Sequence, residues 1–265
     1  MKKTFLYLFS AFMMGISLSS CLGDTGANTA GSDFAMIHES NDNTPMFAWI
    51  AGGGLGLSLT WTGISSEYTP GDLLYLSYDV DLSNQSGGVI TTDKSNIQVV
   101  ESYRTQDQKR FQIGEGVADT SLVNNEHQFE ALQLRLQYIQ EIVFKDRWIF
   151  TARVKLKEGQ IMDPQFFYDT RPEMQHTSTG AALEDAIVID VRLNIKNEGD
   201  GTAASQDKTF VVDFSQIRNQ IFNSQTEDKK VYKIWLRYYD SNKSKEKPTY
   251  VSAGTLMHTA SSTTN

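Results

Sequence analysis

The sequence has a single cysteine, so no disulfide can form within one chain. It also lacks an excess of basic residues: 24 Lys and Arg stand against 32 Asp and Glu, giving a formal net charge of −8. An acidic chain without a basic block is a poor binder of nucleic acid, and we expect no nucleic-acid partner. Hydrophobic residues nevertheless make up 40% of the 265 positions, which is typical of a folded globular body.

The one cysteine stands in a pattern typical of a bacterial lipoprotein signal. Two lysines precede a mostly apolar stretch, Phe5–Leu18, which is too short to span a bilayer. The four residues that end at Cys21 read Leu-Ser-Ser-Cys and match a lipobox, in which the cysteine thiol is acylated by chains such as palmitate. We therefore predict a signal peptide at residues 1–20 and lipid attachment at Cys21.

The residues after the cysteine indicate where the lipoprotein goes. Position 22 is a leucine and is no inner-membrane retention signal. We expect a lipid anchor in the cell outer membrane, with the surface and periplasmic faces both left open. Residues 21–45 are rich in small and polar residues, and we predict a flexible tether there and a disordered tail at 259–265.

Catalytic and metal-binding signatures are scarce. The four histidines are far apart in the chain, with no pair at the spacing of zinc ligands. No Gly-x-Ser-x-Gly sequence occurs, and acylation of the only cysteine would leave no thiol for Cys–His catalysis. We expect no enzyme activity, no metal and no cofactor. A hydrolase with two facing carboxylates is the less favoured alternative, because sequence does not show which carboxylates face each other.

Period-two alternation of apolar and polar residues dominates the rest of the chain. The clearest runs are Leu74–Leu82, Trp148–Leu156, Ile187–Ile195 and Tyr232–Tyr238, with shorter ones at 47–50, 55–61, 97–103 and 209–214. Such alternation is typical of antiparallel sheets that bury one face. Helical signals are few: we favour a strand over a helix at 132–138 and expect one helical turn at 215–221.

A long polar segment without alternation, residues 106–128, divides these strands into two groups. We predict an all-β protein with a small N-terminal OB-like barrel at 46–105 and a linker at 106–128. An antiparallel β-sandwich is predicted at 129–258.

The last long run contains the best candidate for a binding surface. Trp235 and Tyr239 alternate with Ile234 and Leu236, and Lys233 and Arg237 share their side of the strand. An exposed strip of aromatic and cationic side chains can hold a protein partner or stack on sugar rings. The alternative is a strand that packs on both faces, with the tryptophan beneath loops. We predict Trp235, Tyr239, Arg237 and Lys233 as ligand-binding residues.

The order of these segments resembles the NigD-like lipoproteins of Bacteroidetes. The resemblance is carried by Cys21–Asp24, Gly71–Tyr78, Arg147–Thr151, Ile187–Ile195, Thr209–Ser215 and Val231–Tyr239. It implies an OB-like barrel followed by a β-sandwich, and the family name derives from a bacteriocin gene cluster with a proposed immunity role. We expect a non-enzymatic, lipid-anchored envelope protein that presents a recognition surface to an envelope protein, with glycan binding as the alternative.

Overall fold

The computed structural model describes residues 28–41, 44–50, 56–82, 88–117, 128–135, 146–175, 186–222, 231–243 and 248–257. In these ranges the chain is almost entirely β-structure, as predicted. The strands are β1 (Asn28–His38), β2 (Phe47–Ile50), β3 (Leu57–Thr60), β4 (Leu73–Asp81), β5 (Ile90–Thr91), β6 (Ile97–Tyr103), β7 (Phe111–Gly114), β8 (Ala131–Leu134), β9 (Arg147–Glu158), β10 (Ile161–Asp169), β11 (Ala186–Lys196), β12 (Asp200–Asp213), β13 (Val231–Tyr238) and β14 (Thr249–Met257). The helices are α1 (Ile64–Glu67) and α2 (Ser215–Phe222).

The first unit is a six-stranded sheet with the order β5-β3-β2-β1-β4-β6, here called the N-terminal sheet. Its two edges, β5 and β6, do not pair with each other, so the predicted closed OB-like barrel is wrong for the described strands. One face packs on its own core, to which Ile37, Ile50, Leu59, Trp61 and Leu76 belong. The sheet therefore has a small core of its own and does not close.

Strand β1 lies in the middle of that sheet, where the sequence predicted a flexible tether. It pairs with β4 along Asn28–Met36 and with β2 along Ala35–His38. The tether prediction is therefore wrong from Asn28 onward. The physical reason is the apolar run Phe34–Ile37, whose side chains are buried on both faces of the sheet.

The second unit is a sandwich of a five-stranded sheet, β14-β13-β11-β10-β7, and a three-stranded sheet, β12-β9-β8. Between them lies the largest core of the protein, which includes Phe129, Phe150, Phe166, Phe214 and Leu236. The sandwich prediction is confirmed. Its antiparallel character holds only in part, because β7 runs parallel to β10 and β11 parallel to β13. Strand β7 also falls inside the segment that was predicted as a linker.

The parallel pairs follow from the path of the chain between the two sheets. After β9 the chain crosses to the other sheet as β10, and after β11 it crosses back as β12. Strand β13 then returns to the five-stranded sheet beside β11, so β11 and β13 point the same way. The predicted helical turn is confirmed as α2, which follows β12 directly.

The two crossings are joined by side-chain hydrogen bonds. Gln160 donates from Nε2 to the carbonyl oxygen of Glu198 at 3.0 Å, and Asn197 donates from Nδ2 to that of Gly159 at 3.1 Å. Gly199 completes the corner with a φ of +66° and no room for a side chain. A Cβ atom there would lie 2.8 Å from the carbonyl oxygen of Glu158.

We expect Gly199→Ala to lower the free energy of unfolding by about 2 to 4 kcal/mol, because strain from the left-handed backbone adds to the backbone clash. Gly201 is the matched control: its φ is +75°, but nothing lies within 4 Å of a Cβ built there. Gly201→Ala should cost only about 1 to 2 kcal/mol, the backbone strain alone. Urea unfolding of both variants measures the difference, and equal losses would contradict the role given to the corner.

The N-terminal sheet packs with its second face on the outer surface of the three-stranded sheet. Phe34, Met36 and Leu73 from the first unit meet Ile149 and Val211 from the second in a small buried cluster, here called the interface cluster. Both faces of β1 are therefore covered at Phe34–Ile37, which explains why the apolar residues there do not alternate with polar ones.

Candidate binding face of the five-stranded sheet

The outer face of the five-stranded sheet carries the side chains that the sequence singled out. Along β13, Tyr232, Ile234, Leu236 and Tyr238 are buried in the sandwich core. Lys233, Trp235 and Arg237 occupy the alternate positions, with Lys233 exposed and the other two half-buried. The predicted alternation of the strand is confirmed.

Arg237 is held in place by an ion pair across two parallel strands. The register puts it opposite Asp190 of β11, and its Nε and Nη2 donate to the two carboxylate oxygens at 2.6 Å each. The two side chains are only 11% and 13% exposed. Burial alone would lower the pKa of Arg237, but the hydrogen bond and charge of Asp190 outweigh it, so the pKa is raised. Arg237 is thus a charged structural centre of this face rather than a mobile surface cation.

A short turn lies against the same face. Residues Pro172–Met174 form one 3-10 turn, and Nη1 of Arg237 is 3.4 Å from the carbonyl oxygen of Met174. Gln175 then accepts a hydrogen bond from the backbone N–H of Val188 at 2.8 Å. The turn covers part of the outer face. Near Arg237, β13 is therefore buried on both sides, as the alternative interpretation of its sequence predicts.

Trp235 lies at a distortion of the sheet. It is opposite Val188 on one side and Ser252 on the other, where the register between β13 and β14 shifts by one residue. Its indole Nε1 is buried and has no hydrogen-bond partner in the described part of the chain. Leaving such a donor unpaired costs about 1 to 3 kcal/mol. The donor lies beneath the surface of the face, and only other parts of the Trp235 side chain remain exposed to a partner.

Tyrosine and arginine side chains surround the ion pair. Tyr239 and Tyr250 are both half-buried. Burial raises the pKa of Tyr239, and Arg237, Asp190, Tyr250 and Arg192 lie near enough to act on it electrostatically. The resulting group of Trp235, Arg237, Tyr239, Tyr250, Asp190 and Arg192 is here called the outer-face cluster.

Sequence reasoning missed Asp190, Arg192 and Tyr250. The first two stand at outward positions of an alternating strand, which is a weak signal because such positions usually carry solvated charges. Only the parallel register of β11 and β13 brings Asp190 opposite Arg237. Tyr250 comes from β14, paired with Arg237 across the other side of the strand.

The outer-face cluster has the composition of a binding surface. Trp, Tyr and Arg are the residue types that dominate binding energy at protein interfaces. Within the described ranges, no group of three His, Cys, Asp or Glu side chains lies close enough to hold a metal ion. The same ranges contain no helix that is long and apolar enough to cross a membrane. Cys21, predicted as the lipidation site, and the tail at 259–265 lie outside the described residues.

Comparison with known proteins reveals likeness in fold alone. No family model and no curated protein matches the sequence. A solved structure of an uncharacterized protein from Parabacteroides merdae is similar over 85% of this chain and 98% of its own, with 9% identity and a TM-score of 0.55. A protein of unknown function, DUF1344, from Bacteroides vulgatus has 11% identity over 88% and 93% of the two chains, at a TM-score of 0.46. A protein described as toxin-related from Parabacteroides distasonis has 10% identity over 87% and 93%, at a TM-score of 0.47.

Proposed function

We propose that this protein is a lipid-anchored protein of the outer membrane that binds an envelope protein through the outer-face cluster. It acts by recognition rather than catalysis. The resemblance to the NigD-like lipoproteins extends the proposal to an immunity-like role, in which the bound protein is neutralised or held at the membrane. The anchor is proposed from the lipobox that ends at Cys21.

The observation that carries the binding proposal is the group of aromatic side chains around the ion pair of Arg237 and Asp190. Trp235, Tyr239 and Tyr250 are all half-buried, so each still exposes part of its side chain. A partner that covers these rings buries aromatic surface. The ion pair of Arg237 and Asp190 keeps the surrounding face rigid, which reduces the entropy lost on binding.

Glycan binding is the second candidate, and the aromatic side chains around the ion pair favour it. Sugar rings stack on aromatic faces, and their hydroxyls hydrogen-bond to polar side chains such as arginine and tyrosine. Both candidate functions use the same side chains and differ only in the ligand. One double variant and its control therefore test both.

The test replaces Trp235 and Tyr239 together by alanine. A photocrosslinking amino acid at Ser252, which is exposed opposite Trp235, first captures the partner on intact cells. Binding of that purified partner should then weaken by about 30-fold or more in the double variant, since aromatic hot spots contribute about 2 kcal/mol or more. The matched control is Val100→Ala, which trims a 53% exposed side chain on the N-terminal sheet.

The outcomes separate the candidates. Loss of protein binding in the double variant alone supports the proposal, provided that its unfolding midpoint stays near that of the control. Unchanged binding rejects the outer-face cluster as the binding surface. Loss of affinity for purified envelope glycans, with no crosslinked protein, would replace the first candidate by the second.

The anchor has a separate test. Cys21→Ser should abolish acyl labelling and signal processing, and labelling that persists would reject the lipidation proposal. An epitope tag at the C-terminus then distinguishes the two membrane faces. External protease should remove it from intact cells only if the folded units face outward.

A further inference from the structure

The start of β1 limits how far the folded protein can lie from its anchor. Between Cys21 and Asn28 there are six residues, and Asn28 already pairs with Asp81 in the N-terminal sheet. Whatever their conformation, seven peptide steps span at most about 25 Å. The long spacer predicted from composition would have let the protein stand well clear of the membrane.

The end of the sheet that receives this spacer is distinct from the rest. Phe34 is the first β1 residue buried against the sandwich, and the side chains of Ala30 and Ser32, on the same face, are exposed. The Ser32 and Ser77 hydroxyls share a hydrogen bond of 2.6 Å across the strand pair. From Phe34 back to Asn28 the strand rises about 20 Å. The first residues of β1 and the last of β4 thus form a ribbon beyond the interface cluster. Its exposed side chains are small or polar, whereas Val80 packs on the N-terminal core.

We propose that this ribbon end, residues 28–32 with 77–81, is the membrane-facing end of the protein and lies against the lipid headgroups. The inference rests on the proposed acylation of Cys21. Its chemistry selects the kind of surface: the ribbon end carries Asp79 and Asp81 but no Lys or Arg. Carboxylates are attracted to the ammonium of zwitterionic phosphatidylethanolamine and repelled by anionic lipid. The ribbon end fits a zwitterionic surface and exposes no large apolar side chain to insert, because Tyr78 and Val80 pack on the N-terminal core.

The test compares the distance to the membrane of two labelled positions, one near the start of β1 and one just beyond its end. Ala30→Cys and Ser40→Cys each introduce one thiol at an exposed position, and acylated Cys21 offers no thiol of its own. The two sites are separated by about 25 Å or more along the strand. Each purified lipoprotein receives a fluorine label and is reconstituted in phosphatidylethanolamine–phosphatidylcholine vesicles that contain a gadolinium-chelating headgroup.

We expect strong broadening of the fluorine signal at position 30 and little at position 40. Equal broadening at both positions, or stronger broadening at 40, would overturn the inference. A Gly-Ser insertion of about 20 residues after Asp24 should remove the broadening at 30, because the r.m.s. reach of the spacer then about doubles. Broadening that survives the insertion would show that the spacer does not set the orientation.

Two further samples separate this inference from the proposed function. A purified protein that carries no acyl chain, or Cys21→Ser protein that binds the vesicles as well as the parent does, rejects the lipidation proposal itself. Acylated protein with equal broadening at both sites rejects only the orientation. Replacing a third of the lipid by phosphatidylglycerol should weaken the broadening at 30, and an increase would reject the zwitterionic preference.

Discussion

Replacing Asp72 by alanine is expected to lower the free energy of unfolding by about 3 to 5 kcal/mol, because it removes a buried acceptor from several hydrogen-bond donors at once. The Asp72 side chain is 0% exposed. Its Oδ1 accepts from the backbone N–H and the hydroxyl of Thr105 at 2.7 and 3.0 Å. Its Oδ2 accepts from Thr69 N–H at 2.9 Å and from Arg104 at 3.0 Å. Alanine would leave all of these donors without the carboxylate.

Loss of the Asp72 carboxylate should also weaken the contact between the two units. Directly beside Asp72, the carbonyl oxygen of Gly71 accepts from Nε2 of Gln108 at 2.9 Å. The Oε1 of Gln108 in turn accepts from Nε of Arg147 in β9 at 3.2 Å. Loss of the carboxylate therefore loosens the turn on which the polar link between the N-terminal sheet and the sandwich depends.

Asp207→Ala is the matched control. Asp207 also makes two hydrogen bonds to an arginine, Arg153, at 2.8 and 2.9 Å, but both side chains are more than half exposed. Solvent screening makes such a pair weak, so the urea midpoint should hardly move. A similar loss in both variants would mean that burial is not what makes Asp72 important.

The pH dependence of stability gives an independent check on Asp72. Burial alone would raise the pKa of this carboxyl, but hydrogen bonds from Thr69, Thr105 and Arg104 outweigh it and hold the pKa below its usual value. The stabilisation is therefore complete above the unfolded-state pKa of about 4 and is lost as the pH falls through the folded-state pKa. Below about pH 4, stability should fall less steeply in Asp72→Ala than in the parent protein.

The strands that could be predicted from the sequence are those with mostly polar residues on one face. In β4, β9, β11 and β13 one set of side chains enters a core and most of the alternate set is polar, so the period-two pattern is visible in the residues. Leu73, Ile149 and Val188 are the exceptions, since they are buried on the second face. The alternation indicates which face is buried but not which strand lies beside it. The parallel pairing of β11 with β13 depends on crossings between sheets and leaves no local pattern.

Strand β1 was missed for the opposite reason. Its buried part, Phe34–Ile37, is apolar without alternation because it lies between the N-terminal core and the interface cluster. The residues before it are small and polar, so the composition of the whole segment resembles that of a linker. The signal that could have found it is four successive apolar residues, which is what a strand buried on both faces requires.

The candidate site, like the strands, could be predicted from the sequence only in part. Alternation in β13 predicts that Trp235 and Arg237 share a face, and this is confirmed. Whether that face is open depends on the Pro172–Met174 turn, which comes from a distant part of the chain. The sequence predicted a row of side chains; the packing makes Arg237 structural and leaves the indole N–H of Trp235 as the unpaired group.

Phe34→Ala should give the second large effect, because Phe34 is the aromatic centre of the contact between the two units. The ring is 3% exposed, 5.0 Å from the Tyr75 ring between centroids, and the Arg135 guanidinium lies 5.2 Å above it. Truncating a buried phenylalanine costs about 3 to 5 kcal/mol. Here part of that loss should appear as lost cooperativity, since the N-terminal sheet has its own core and the sandwich another.

The four tryptophans allow this loss to be measured. Trp49 and Trp61 belong to the N-terminal sheet, and Trp148 and Trp235 to the sandwich, so fluorotryptophan signals report the two units separately during urea unfolding. In the parent protein we expect the four signals to change together. In Phe34→Ala those of the N-terminal sheet should change at lower urea. Phe34→Leu, which retains apolar bulk, should keep the transitions nearly coincident.

A double-mutant cycle with Ile149→Ala identifies the contact that is responsible. Phe34 and Ile149 meet across the interface cluster, so removing both should cost less than the sum of the single losses, with a coupling of about 0.5 to 3 kcal/mol. Strictly additive losses, together with coincident unfolding in Phe34→Ala, would show that the cluster does not couple the units. The coupling of the N-terminal sheet to the sandwich would then have to come from the polar link through Gln108 and Arg147.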